Sequence, residues 1–170
     1  MIGGFWPLNI FATAWGIGAL AAAGAPSWSY AGPVLLSVLI IAAAYRWLRQ
    51  SYVFTPEQQR RIGRTVILWS GLELVAILVA VNVLANTGHG QLVGGAVAAI
   101  VGLHFFPLAH GLGLRLYYLT GLVLTALGLA GMAAVTVVTP LIVFAGAAGA
   151  LWLTCVILLT VPAARVRTGP

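Results

Sequence analysis

Residues 64–86 read RTVILWSGLELVAILVAVNVLAN. The run is apolar almost throughout, with one carboxylate, Glu73, near its middle. It is about as long as the roughly 20 residues a helix needs to cross a bilayer. Glu73 and Glu57 are the only two acidic residues in the chain. A charge at the bilayer centre costs about 2.5–3.5 kcal/mol on insertion scales, and ionisable groups found there mark functional sites by default. This one stretch therefore indicates both a membrane span and a candidate site.

The rest of the 170-residue chain agrees: 62% of it is hydrophobic, 6% is charged and the mean hydropathy is +1.08. Soluble domains carry about 25% charged residues, and a domain this small leaves too much surface wet to hide such a composition. The chain reads as an integral membrane protein. Its apolar runs are too long and too continuous for the short alternating segments of a β-barrel. The expected fold is all-α: one polytopic bundle over residues 1–170, with six transmembrane helices near 5–25, 33–49, 64–86, 91–109, 116–138 and 140–161.

The net charge of +6 comes from arginine, since the chain has no lysine. Without a lysine amine there is no retinal Schiff base. The arginines flank apolar spans, which speaks for orientation in a membrane and not for nucleic acid. With six spans, Arg46, Arg49, Arg60, Arg61, Arg64, Arg115, Arg165 and Arg167 all fall on one side, and the opposite loops hold only His89. That asymmetry puts both termini in the cytoplasm. The small residues of 18–26 resemble a signal-peptidase site, but MIGGFW carries no basic segment, so a retained first helix is expected. The lone Cys155 has no disulfide partner and reads as packing.

One polar segment interrupts the apolar pattern. Thr55-Pro56-Glu57-Gln58 has the form of a capping box with proline at the first helical position. A helix is expected to start there and either run into the third span or break near Gly63. Arg49, Arg60, Arg61 and Arg64 are expected at lipid headgroups, where each basic residue contributes about 1 kcal/mol beside an anionic leaflet. Pro107 is expected to bend or end the fourth helix.

Helical spacing places Ser70, Glu73, Ala76, Ile77 and Ala80 on one face, with Asn82 opposite. Counting from the arginine ends, Glu73 lies near the midplane and His104 lies about four residues, or roughly 6 Å, nearer the cytoplasm. Asn9, Arg46 and Tyr117 lie further that way. Glu73, His104, Ser70, Asn9, Arg46 and Tyr117 are therefore the candidate lining of an inward-facing polar pocket that binds substrate or protons. Glu73 is the coupling carboxylate of such a pocket, or else a structural acid tying one helix to the next. His104 is a binding group, or satisfies a carbonyl freed by Pro107.

No cofactor or metal is expected. Bis-histidine haem needs two histidines on facing helices, whereas His104 and His110 share a segment and His89 lies on the far side. Glu73 and His104 alone are too few ligands for zinc. No serine-nucleophile elbow, HExxH pair or glycine-rich phosphate loop occurs.

Three functions remain. The favoured one is a small transporter or channel using the Glu73 carboxylate for proton or cation coupling. Six short helices leave little room for a cavity in one subunit, so a homodimer is expected with it. The second is a non-catalytic structural or lipid-binding subunit of a larger membrane complex. The third, an intramembrane enzyme acting on a lipid, rests only on Glu73 and His104. The central acid in a glycine-rich span resembles small multidrug exporters in logic, but the length and helix order differ. The segment LHFFPLA at 103–109 is similar to uncharacterised bacterial membrane proteins, which implies a bacterial inner membrane and no particular activity.

Overall fold

The structure is a computed structural model in which residues 2–47 and 56–160 are described. Among these residues the chain forms six α-helices and no strand: α1 (Ile2–Ala22), α2 (Ala31–Trp47), α3 (Pro56–Asn86), α4 (Val93–Leu112), α5 (Arg115–Ala133) and α6 (Pro140–Thr160). Five stretches are long and apolar enough to cross a membrane: Ser27–Arg46, Ile62–Asn86, Gly90–Leu112, Arg115–Ala133 and Pro140–Thr160. Of the six spans expected, the one formed by α1 is not among these five; the all-α, multi-pass membrane reading stands.

The helix ends follow local chemistry. α3 starts at Pro56, where the missing N–H costs nothing, and runs unbroken through Gly63 to Asn86. The proposed cap, Thr55, lies outside the described residues, as do Arg49, Arg165 and Arg167. α4 continues through Pro107 to Leu112, beyond the expected end. A proline removes one backbone hydrogen bond, and close neighbours in a bundle make that tolerable. α4 ends instead in a Schellman motif: Gly113 takes φ +65°, and the N–H groups of Gly113 and Leu114 donate to His110 and Ala109. The same motif closes α3 at Gly88. α5 stops at Ala133, short of the expected end, and the chain turns through residues 134–138 to Thr139, which Pro140 holds out of the helix.

Successive helices run antiparallel. α4 and α5 form the tightest pair. Gly102 packs on the backbone of Thr125, and Gly128 on the backbone of Ala99, so closely that a Cβ at either glycine would strike main-chain atoms. α6 lies against α5 and α1, and α2 lies against α1 and α6. The shared core includes Ala12, Ala98, Leu124, Val143, Ala147, Leu151 and Cys155. α3 lies at the edge, packed along α4. This alternation brings the N-terminal ends of α1, α3 and α5 and the C-terminal ends of α2, α4 and α6 to one end of the bundle. Arg46, Arg60, Arg64 and Arg115, all exposed, share that end.

The glycine seam makes a sharp stability prediction. Gly102→Ala and Gly128→Ala should each destabilise the protein by about 1–3 kcal/mol in detergent unfolding, because the added methyl meets backbone that cannot move aside. Gly149→Ala, where a Cβ meets nothing within 4 Å, should be neutral or gain up to about 1 kcal/mol of helix propensity.

Candidate functional site

The α3–α4 interface carries the site. Low in the bundle, Thr65 of α3 packs against Gly111 of α4. Continuing along two antiparallel helices brings Glu73 level with His104. The offset of about four residues expected from counting arginine ends does not exist, because α3 begins outside the apolar span and the count started from different depths. The Glu73 Oε2 and His104 Nε2 atoms lie 3.5 Å apart, with both side chains more than nine-tenths buried. Two groups that each need a partner in a low-dielectric setting have found each other.

The second imidazole nitrogen is also held. His104 Nδ1 lies 3.1 Å from the carbonyl oxygen of Trp69. In a regular helix that oxygen already accepts the N–H of Glu73, four residues on, and its second lone pair is free. A carbonyl only accepts, so Nδ1 carries the hydrogen. That fixes the neutral tautomer with Nε2 bare and aimed at Glu73. The pair then has two net-neutral forms: a carboxylic acid donating to Nε2, and a carboxylate accepting from an imidazolium. The two forms differ only in which partner holds one proton. The expected role for His104 of rescuing a carbonyl freed by Pro107 gives way to this: the carbonyl it meets belongs to α3.

The other expected pocket residues lie elsewhere. Ser70 sits half-buried one turn before Glu73 on the same helix. Both His104 nitrogens are engaged by Trp69 and Glu73, so no ring nitrogen is left to activate the Ser70 hydroxyl. Tyr117 is buried on α5 with its ring edge against Phe105, centroids 5.4 Å apart. Arg46 is exposed at the end of α2. Asn9 belongs to a separate polar cluster. Its amide donates to the carbonyl of Ser37 at 2.9 Å, the Thr13 hydroxyl donates to the Asn9 carbonyl, the Thr13 and Ser37 hydroxyls bond to each other, and Trp152 Nε1 donates to Ser37 Oγ. Asn9 Oδ1 is buried without a partner among the described residues. This cluster stitches α1, α2 and α6 together. A third polar contact, Thr120 to Thr154 at 2.7 Å, does the same for α5 and α6.

Among the described residues no three His, Cys, Asp or Glu side chains converge, so Glu73 and His104 make a two-ligand site at most. No protein-family model matches the chain, and no curated protein or solved structure is detectably similar to it. The bundle and its buried acid–base pair define the class of molecule: a small multi-pass helical membrane protein with one paired carboxyl inside a span.

If the pair is coupled as the geometry indicates, a double-mutant cycle over Glu73→Ala and His104→Ala should return an interaction of about 0.5–2 kcal/mol in unfolding free energy. Each single change strands a buried partner, so the double variant should be more stable than the two losses summed. Strict additivity would show that the two groups do not interact.

Proposed function

We propose that this protein is a small transporter or channel in which the Glu73–His104 pair binds and releases the coupling proton or cation. One observation carries the reading: an acid and a base touch at mid-span, with no arginine between them and with their tautomer set by a third group, Trp69. A purely structural acid needs only a hydrogen-bond donor. A group that loads and unloads a proton needs a partner able to hold it meanwhile, and an imidazole does this where a hydroxyl or amide does not. The arginines gathered at one bundle end fit an orientation with that end, and both termini, in the cytoplasm. They also fit anionic headgroups as the lipids bound there, with Arg60 and Arg64 on the part of α3 that leads into the span. A bacterial inner membrane suits this arrangement.

A second reading is favoured by how dry the pair is. Glu73 is 8% exposed and faces one neighbour, as expected of a clip that holds α3 in a structural subunit of a larger membrane complex. The lipid-enzyme reading loses ground because no nucleophile contacts His104.

Ion movement separates the two. In proteoliposomes under an imposed potassium diffusion potential, with an entrapped pH dye and sodium as the alternative cation, the wild-type protein should move protons or sodium above the empty-vesicle rate. Glu73→Gln, which keeps the shape, should fall to that background while folding normally. If Glu73→Gln conducts as well as the wild type, or if neither exceeds empty vesicles and the variant only loses stability, the clip reading replaces transport.

The orientation is tested apart from this. Reporter fusions after residue 88 should be active only outside the cytoplasm, and fusions after residue 113 only inside.

A further inference from the structure

We propose that the outer face of α3 is the dimerisation surface for a second copy of this chain. α3 buries one stripe against α4, centred on Glu73, and leaves the opposite stripe open. That open stripe runs Leu68, Gly71, Val75, Leu78, Asn82 and Ala85, all exposed. The spacing alternates three and four residues over its whole length, which is the seam of a two-helix coiled coil. Leu68, Val75 and Leu78 are 68%, 57% and 54% exposed.

Exposed apolar residues alone mark a lipid face, and α2 presents one in Val34, Leu35, Val38 and Leu39. Asn82 separates the α3 face from these. Setting aside the first and last turns of each span, it is the only amide or charged side chain exposed on a span among the described residues. One of its amide hydrogens goes to the Leu78 carbonyl at 2.8 Å. The second hydrogen and Oδ1 bond to no other described residue, and left so in hydrocarbon they would cost at least about 1 kcal/mol per unsatisfied group.

A second copy cancels that cost by symmetry. Both copies enter the membrane with their arginine ends on the same side, so the two-fold axis stands normal to the bilayer and the two α3 helices run parallel. Seam residues then meet their own counterparts at equal depth. Each Asn82 has one free donor and one free acceptor, so the two amides exchange a reciprocal pair of hydrogen bonds. Gly71, near the middle of the span, lets the backbones approach. Glu73 lies on the far side of α3, so this surface is independent of the proton-binding reading.

Single cysteines at Leu68, Val75 and Leu78, and controls at Leu72 and Val83 off the seam, test the proposal by oxidative cross-linking in native membranes. The wild type serves as the blank, since Cys155 is fully buried. Cross-linked dimer is expected at the three seam positions and not at the controls. In lipid-dilution measurements on reconstituted protein, Asn82→Val should weaken dimerisation about 3- to 20-fold, and Asn82→Gln should restore part of it. Cross-linking of equal strength at seam and control positions, or none at any position, would overturn the proposal and leave this stripe to lipid. So would an Asn82→Val dimer as tight as the wild type.

Discussion

A carboxyl and an imidazole placed inside hydrocarbon are tolerable only in each other's reach, and that constraint organises one side of this bundle. It fixes the rotation of α3, because Glu73 must face α4. It fixes the register, because only one sliding position of the antiparallel pair brings Oε2 and Nε2 to 3.5 Å. It also recruits a backbone carbonyl, since the other imidazole nitrogen needs an acceptor and finds Trp69 one turn below. Packing alone would not determine α3 so closely. Little of its span is covered by the rest of the protein, and the close-packing glycines of α4, Gly95 and Gly102, are turned to α5.

The rest of the bundle is held by different means. α4 and α5 meet through glycines at backbone distance, where dispersion and close fit replace the hydrophobic drive that lipid removes. α1, α2 and α6 are pinned by hydroxyl and amide contacts around Ser37. These polar groups sit in the interior and, Asn9 Oδ1 apart, find partners there, while the outer faces of α2, α5 and α6 stay mainly aliphatic. The molecule thus joins five mutually packed helices to one peripheral helix attached mainly at α4. The peripheral helix carries the acid, and its inner and outer stripes hold unlike polar groups, Glu73 and Asn82.

Most of the fold was legible because hydropathy and helix length are read residue by residue, and lipid imposes them strictly. The ends of α4 and α5 were less legible. Pro107 is a breaker only where neighbours cannot compensate, and α5 stops at Ala133 although its apolar run continues to Val138. For the site, the sequence supplied Glu73 and His104 but not their contact, since azimuth depends on which helix packs on which. Asn9 and Arg46 were grouped with them by depth alone, and depth says nothing about which side of the bundle a residue faces. The Ser37 cluster left a faint signal, in that Thr13 and Ser37 are hydroxyls inside apolar runs. The Trp69 carbonyl left none, because backbone acceptors have no sequence signature.

For transport, the acid–base pair must exchange its proton with bulk water despite being enclosed. Nitrogen-15 magnetic resonance of histidine-labelled protein in bilayers reads both His104 nitrogens at once, with His104→Gln identifying the signal. On stepping the bulk from acidic to alkaline, the Nε2 resonance should move between its protonated and bare positions while Nδ1 keeps its hydrogen on the Trp69 carbonyl. If neither nitrogen responds across that range in folded, membrane-embedded protein, the pair is a sealed fastening and carries no proton.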